Sequence, residues 1–187
     1  IRPANDASGC DADVTALAAG SDGVWVATYA GRLCHVTATG RVRALRFDAG
    51  AALPAEALIT VMEAGQGAPR LAGVGGAWQV VEHAGGARVA ALHPAFTGAR
   101  VHALATGRDG ATWLGTDDAL WRWVPGQPPA RMPWPGGTAR APQRLATRDG
   151  GAWWADARTL WRLDASGRVL ARVEGVDGGP LAMREDP

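Results

Sequence analysis

The chain has 187 residues, of which 47% are apolar and 20% charged, the composition of a folded globular protein with a sizeable core. Its formal net charge is only +1, and its 19 basic residues, all arginines, are spread along the chain. Proteins that bind nucleic acids usually gather a strong basic excess on one surface, so no nucleic-acid partner is expected. No run of about 18 apolar residues occurs, so no membrane-spanning helix is expected either.

Short apolar runs separated by tight turns recur along the chain. In residues 101–123, Asp109-Gly110 separates two such runs, and a polar turn precedes a third. Because these runs are rich in β-branched and aromatic residues, they predict antiparallel strands joined by hairpins. The same stretch occurs four times at intervals of about 40 to 45 residues, the length of a four-stranded propeller blade. The residues equivalent to Trp113 are Trp25, Arg70 and Trp153. A second equivalent position follows eight residues later in each repeat: Trp121 after Trp113, Leu33 after Trp25, Trp78 after Arg70 and Trp161 after Trp153.

The predicted elements begin with an irregular lead-in at residues 1–13. Residues 14–50 form the first predicted blade, with strands at 14–18, 24–28, 32–36 and 41–47. The second blade is predicted at residues 51–96.

The start of the second blade allows an alternative interpretation. Residues 51–64 are rich in alanine, leucine and glutamate, which favour a helix. Pro54 and the register of the repeat favour a strand that begins near Ile59 instead.

The third and fourth blades are predicted at residues 97–140 and 141–178. The prolines and glycines of residues 133–137 predict a loop between them. Residues 179–187 resemble the first strand of a fifth, partial unit. We therefore expect an all-β chain that is an open part of a longer propeller, whose exposed blade faces are covered by the remaining blades of a longer chain or by a protein partner.

Several segments carry a motif in the repeated strand. In the third blade the motif is Trp113-Leu114-Gly115-Thr116. Altered forms are Trp25-Val26-Ala27-Thr28 in the first blade and Trp153-Trp154-Ala155-Asp156 in the fourth. Together with Asp-Gly before the tryptophan and Leu-Trp-Arg after it, this motif resembles the two-component-regulator propeller repeat. The resemblance implies a β-propeller in the sensor portion of a bacterial signalling protein, with a periplasmic or other extracytoplasmic location. Arg70 departs from the motif and puts the inner packing of the second blade in doubt.

The two cysteines, Cys10 and Cys34, are too few for a disulfide scaffold and too far apart for a zinc or haem motif. Two unrelated thiols are the favoured interpretation. One disulfide that ties the N-terminal segment to the first blade is the alternative.

The nine tryptophans could form a binding platform or fill the space between blades. The second interpretation is favoured for those in repeat register: Trp25, Trp78, Trp113, Trp121, Trp153 and Trp161. Trp134 lies in a loop between two prolines, where packing within a sheet does not explain it. A role in binding a partner is therefore considered for Trp134.

Loops between second and third strands share one face of a propeller with the connections between blades. We expect binding there, by six residues in particular: Tyr29, Arg32, Arg100, Asp117, Trp134 and Arg158. The ligand could be a protein, a small molecule or a glycan. Adjacent Asp117 and Asp118 could hold a cation, but two residues on a solvated turn point apart.

The chemistry-bearing residues show no recognisable catalytic or cofactor motif. The four histidines lack the short spacing of metal ligands, and no phosphate loop, dinucleotide fingerprint or nucleophile elbow is present. No catalytic residue, metal or cofactor is therefore expected, and a non-catalytic binding module is favoured. A propeller lyase or glycan-active hydrolase is the alternative, which requires His93, His102 and a carboxylate to converge. A structural subunit of a larger assembly is a further possibility.

Overall fold

The computed structural model describes residues 10, 13–50, 52–64, 68–84, 86–134, 144–146, 150–155 and 158–175. The chain divides into two compact units, residues 1–100 and 101–187. Each unit contains two four-stranded antiparallel sheets in which consecutive strands are neighbours. Each sheet therefore has the up-and-down topology that the hairpin pattern predicts.

The first unit holds the first two blades. The first is formed by strands β1 (Val14–Ala19), β2 (Gly23–Thr28), β3 (Leu33–Thr37) and β4 (Val42–Ala44). The second is formed by β5 (Leu58–Glu63), β6 (Arg70–Val74), β7 (Gly76–His83) and β8 (Gly86–Ala91), followed by a 3₁₀ turn at Pro94–Phe96.

The second unit holds the third and fourth blades. The third is formed by β9 (Val101–Thr106), β10 (Thr112–Thr116), β11 (Leu120–Trp123) and β12 (Ala130–Met132). The fourth is formed by β13 (Arg144–Ala146), β14 (Ala152–Ala155), β15 (Thr159–Leu163) and β16 (Val169–Glu174).

The alternative helix at residues 51–64 is not formed, because Leu58–Glu63 is a strand paired along its length with β6. Several predicted segments lie outside the described residues: most of the lead-in at 1–13, loop residues 135–137 and the partial unit at 179–187.

In each unit, apolar side chains fill the space between two blades. In the first unit Trp25 and Leu33 pack with Ile59, Leu71 and Trp78. The matching cluster of the second unit is formed by Trp113, Leu120, Trp154, Trp161 and Leu163. Removing such side chains from water is the main favourable term in folding, so these two layers hold the blades together in pairs.

The tryptophans in repeat register are not all buried. Trp25, Trp78, Trp113 and Trp161 are buried as predicted. The prediction is wrong for Trp121 and Trp153, which are both partly exposed. The fully buried tryptophan of β14 is instead the next residue, Trp154.

Cys10 and Cys34 form a disulfide, so the favoured interpretation of two unrelated thiols is wrong. Cys34 pairs across the sheet with Val26, on the opposite face from Trp25, and is completely buried. Elsewhere on the first blade, Val14 and Leu17 are 53% and 61% exposed. The first blade thus has a buried disulfide at Cys34 and exposed apolar side chains at Val14 and Leu17.

Candidate functional site

The turn between β2 and β3 carries two of the predicted binding residues, Tyr29 and Arg32. Its backbone is fixed by hydrogen bonds from the Gly31 amide to the Thr28 carbonyl oxygen at 3.0 Å and from the Tyr29 amide to the Asp13 carbonyl oxygen at 2.8 Å. The Thr28 hydroxyl accepts a further bond from the Arg32 amide at 3.3 Å. Tyr29 is 70% exposed, so a fixed turn presents an aromatic ring to solvent.

A groove of about 770 Å³ runs along β4 in the first unit. One wall is β4 with the residues on either side of it, and the other is formed by the end of β7 with Ala84 and by the start of β8. The groove is lined by five basic side chains and by no acidic side chain: Arg32, Arg41, Arg43, Arg46 and His83.

Backbone hydrogen bonds hold the two walls of this groove together. The Ala87 amide donates to the carbonyl oxygen of Arg46 at 2.9 Å, and the Asp48 amide donates to the carbonyl oxygen of Ala87 at 3.0 Å. Phe47 and Ala87 form a parallel bridge at the same place. The groove is therefore a fixed feature of the first unit.

Two carboxylates at the edge of the groove offset part of its positive charge. Glu82 binds Arg43 at 2.8 Å, and Asp48 binds His83 at 2.9 Å. Among the described residues no carboxylate lies within ion-pair distance of Arg32, Arg41 or Arg46. The groove thus keeps a net positive charge on exposed guanidinium groups.

In the second unit a histidine and a carboxylate lie in contact. His102 at the start of β9 and Asp117 after β10 are 2.5 Å apart, measured from Nε2 to Oδ1. Both side chains are partly exposed, at 30% and 66%. Their 15-residue separation hides this contact from a search for short motifs, because a hairpin with a bulge brings the two together.

The turn beside this pair is held by its own hydrogen bonds. The Thr116 hydroxyl donates to the Asp118 carboxylate at 2.8 Å and accepts from the Ala119 amide at 3.2 Å. Arg131 donates to the carbonyl oxygen of Asp118 at 2.9 Å. These bonds fix the backbone next to Asp117, so its carboxylate is presented by a stable turn.

His93 has a local structural role. Its Nδ1 accepts a hydrogen bond from the Ala95 amide at 3.1 Å and caps the 3₁₀ turn, while its ring contacts Phe96 edge-on.

Trp134 is partly buried and packs against the apolar cluster of the second unit. Its ring meets that of Trp154 edge-on, with centroids 5.4 Å apart, beside the apolar cluster of the second unit. Sequence adjacency to two prolines does not reveal this contact. Only part of the Trp134 side chain remains exposed.

The remaining predicted binding residues are Arg100 in the first unit and Arg158 in the second. Arg100 is exposed and forms an isolated bridge with Val74, and Arg158 is exposed just before β15.

Arg70, which replaces the tryptophan in the second blade, stands opposite Glu63 on the neighbouring strand. The equivalent cross-strand pairs of the first and third blades are tryptophan with alanine. Burial lowers the pKa of Arg70, and the charge of Glu63 partly opposes this shift. The departure from the motif is therefore a paired replacement, in which a carboxylate accompanies the guanidinium.

The described part of the chain contains no group of three histidine, cysteine, aspartate or glutamate residues that could hold a metal ion. It also contains no helix long and apolar enough to cross a membrane.

Comparisons with models of protein families and with curated proteins find no match. Among solved structures, virginiamycin B lyase from Staphylococcus aureus is 20% identical, with a TM-score of 0.67 over 88% of this chain and 56% of that one. The extracellular domain of a protein assigned to a one-component system of B. thetaiotaomicron is 14% identical, with a TM-score of 0.66 over 100% of this chain and 26% of that one. YCF48 bound to D1 peptide is 15% identical, with a TM-score of 0.60 over 86% of this chain and 54% of that one.

These likenesses identify the class of protein that the sheets define, a β-propeller of four-stranded antiparallel blades. The predicted fold is confirmed, and apolar side chains exposed on the first and fourth blades agree with an open or partial propeller. The chain spans about half the length of the lyase and about a quarter of the extracellular domain. At such low identity the likeness shows the fold alone.

Proposed function

We propose that this chain is a non-catalytic binding module from the extracytoplasmic sensor portion of a bacterial signalling protein. An extracellular domain of a one-component system shares its fold, and its motif resembles the two-component-regulator propeller repeat. The disulfide between Cys10 and Cys34 supports an oxidising compartment, because such bonds persist mainly outside the cytoplasm.

The observation that carries this proposal is the exposed ring of Tyr29 on a fixed turn. Aromatic and arginine side chains are frequent anchors of binding interfaces, and a pre-ordered anchor loses little conformational entropy on binding. The other residues proposed for binding are Arg32, Arg100, Asp117, Trp134 and Arg158. YCF48, a propeller of similar fold, has been solved with a bound peptide, so peptides are among the ligands to test.

Glycan and peptide arrays test this function with the whole chain and two variants. Tyr29→Ala removes the ring, whereas Tyr29→Phe keeps it and serves as the matched control. We expect the parent and Tyr29→Phe to bind the same array spots, Tyr29→Ala to lose them, and mass spectrometry to recover the ligand unchanged. Equal binding by all three proteins would contradict the proposed surface.

The contact between His102 and Asp117 favours a second candidate, an enzyme. A carboxylate that orients a histidine is a common arrangement for proton transfer, and a lyase is among the proteins of similar fold. Virginiamycin B is a suitable probe, followed by mass spectrometry of the chain, His102→Gln and Asp117→Asn. The binding module leaves the probe intact in every case, and turnover that both substitutions abolish would establish the enzyme.

We also propose that residues 14–50, 51–96, 97–140 and 141–178 are blades of a longer propeller, with a partial unit at 179–187. The exposed apolar side chains of the first and fourth blades support this, since such surfaces are usually covered by more chain or by a partner.

A further inference from the structure

We propose that the groove along β4 is a second binding site, which takes a short, extended, acidic peptide. The peptide backbone pairs with the outer edge of β4, and its carboxylates bind the arginines of the groove. This site shares Arg32 with the binding surface proposed above but does not use the ring of Tyr29, so its test substitutes Arg41 and Arg46.

The charge of the groove selects the ligand. Arg32, Arg41 and Arg46 line it, and the described part of the chain places no carboxylate within ion-pair distance of them. Guanidinium groups bind carboxylates through paired, charge-assisted hydrogen bonds. A ligand with carboxylates spaced along an extended chain therefore matches this surface.

The edge of β4 selects a peptide. β4 is the last strand of its sheet, and its neighbour on the inner side is β3. The Leu45 amide bonds to the Leu33 carbonyl oxygen at 2.9 Å, and the Thr37 amide bonds to the Arg41 carbonyl oxygen at 2.9 Å. Because bonded and non-bonded pairs alternate in an antiparallel ladder, the backbone groups of Val42 and Ala44 point away from β3.

The residues whose backbone groups point away from β3 belong to the lining of the groove. Val42 and Ala44 both line it, beside the arginines. An extended peptide can add to such an edge through backbone hydrogen bonds, while its side chains meet pockets or charges on alternate positions. A sulfated or carboxylated polysaccharide offers the negative charge without the matching backbone, so the observations favour a peptide.

The site is ordered before a ligand arrives. Backbone bonds between Arg46, Ala87 and Asp48 hold one end, and the Arg41 amide bonds to the Thr37 hydroxyl at 3.1 Å at the other. Only the exposed arginine side chains and the peptide need to become ordered on binding, which limits the entropic cost.

Binding of a short synthetic peptide in which aspartate alternates with valine tests the proposal. Fluorescence anisotropy with the whole chain should show binding that weakens as salt is added. Arg41→Ala and Arg46→Ala should each weaken it by about tenfold, the effect of losing one hydrogen bond to a charged group. Arg88→Ala is the matched control, because Arg88 is an exposed arginine of β8 outside the groove lining, and it should leave the affinity unchanged.

Two further probes separate the parts of the proposal. The same peptide with methylated backbone amides should bind at least about tenfold more weakly, since it cannot donate hydrogen bonds to the edge of β4. A lysine-for-aspartate peptide should not bind. Unchanged melting temperatures of the arginine variants show that the fold is intact.

Clear results would overturn the site. The proposal fails if the lysine peptide binds as well as the aspartate peptide, if Arg88→Ala matches the groove variants, or if backbone methylation has no effect. If a sulfated polysaccharide binds to the groove and the acidic peptide does not, the ligand of the groove is a glycan and the peptide proposal is wrong. None of these results affects the binding of array ligands through Tyr29, so the two proposals fail separately.

Discussion

The third and fourth blades use the same strands but bury different tryptophans. Trp113 and Trp153 occupy equivalent positions, since each pairs with an alanine on the first strand and with an arginine on the third, Arg122 or Arg162. Trp113 is 0% exposed, whereas Trp153 is only partly buried and the fully buried ring of its strand is Trp154.

The difference comes from what lies on each side of a blade. Trp113 points into the apolar layer between the two blades, where it meets Trp154 and Leu163 from the fourth. Trp153 alternates with Trp154 along β14 and so lies on the opposite face. The repeat thus determines where a side chain points, and the neighbouring blade determines whether that side chain is buried.

The polar groups around Trp113 and Trp153 also differ between the two blades. In the third blade Arg122 binds Asp109 at 2.6 Å, and the indole nitrogen of Trp113 donates to the carbonyl oxygen of Gly150 at 3.3 Å. In the fourth blade Arg162 lies over the ring of Trp153, 5.7 Å from its centroid. The buried ring of Trp113 is therefore hydrogen-bonded through its nitrogen, and the partly exposed ring of Trp153 is covered by a cation.

The largest expected effect tests the buried side of this comparison. Trp113→Ala should lower the free energy of unfolding by about 3 to 5 kcal/mol, because it leaves a cavity between the blades and removes the bond to Gly150. Such a loss is a large part of the stability of an ordinary domain. Urea unfolding followed by tryptophan fluorescence measures it, and a variant that unfolds at the parent's urea concentration would show that Trp113 is not part of a packed layer.

The next effect concerns the outward surface of the first blade. The disulfide between Cys10 and Cys34 closes a loop with a sequence separation of 24, so its loss should lower the free energy of unfolding by about 3 kcal/mol. Urea midpoints with and without a thiol reductant measure the change. The double variant with serine at both positions is the control, because it lacks the disulfide and should be insensitive to reductant. If the urea midpoint of the parent does not change when reductant is added, the disulfide is not formed.

A smaller effect is expected for the exposed member of the pair. Trp153→Ala should lower the free energy of unfolding by about 1 kcal/mol, since it removes a partly exposed ring and its contact with Arg162. The same urea measurement applies, with Trp113→Ala as the comparison. Equal losses for the two variants would mean that Trp153 is covered by another part of the molecule in solution.

The strands of each blade could be predicted because their signals are local. Asp109-Gly110 and similar turns mark the hairpins, and alternation of apolar residues marks the strands between them. The burial of Trp154 and the packing of Trp134 could not be predicted in this way. Each depends on which blade or segment packs against that face of the sheet. The periodicity of apolar residues along the sequence does not identify that neighbour.

The candidate sites were predictable only in part. Tyr29 and Arg32 follow from the position of a turn, which the repeat reveals. The groove that contains Arg32 also needs Arg46, which follows β4 in the first blade, and His83, which ends β7 in the second. Likewise, the contact of His102 with Asp117 arises from the bulged register of β9 and β10.

The smallest expected effect compares the last turns of the third and fourth blades. In the fourth, the carboxylate of Asp164 accepts hydrogen bonds from the Ser166 hydroxyl at 2.6 Å, the Ser166 amide at 2.9 Å and the Arg168 amide at 3.0 Å. In the third, Val124 follows the strand and offers only its carbonyl oxygen, which accepts from the Gln127 amide at 3.0 Å. Of these two last turns, only the one in the fourth blade has bonds that depend on a charge.

These bonds, above all the one from the Ser166 hydroxyl, lower the pKa of Asp164 from 3.8 to about 2. Because the pKa is lower in the folded chain, the charged form stabilises the fold fully above about pH 4, and this contribution is lost as the pH falls towards 2. Asp164→Asn should remove it, so the difference in melting temperature between parent and variant should be small but measurable at neutral pH and should shrink on acidification through this range. Melting curves that stay the same distance apart from neutral pH to pH 2 would show that the turn is held by bonds independent of the carboxylate's charge, as in the third blade.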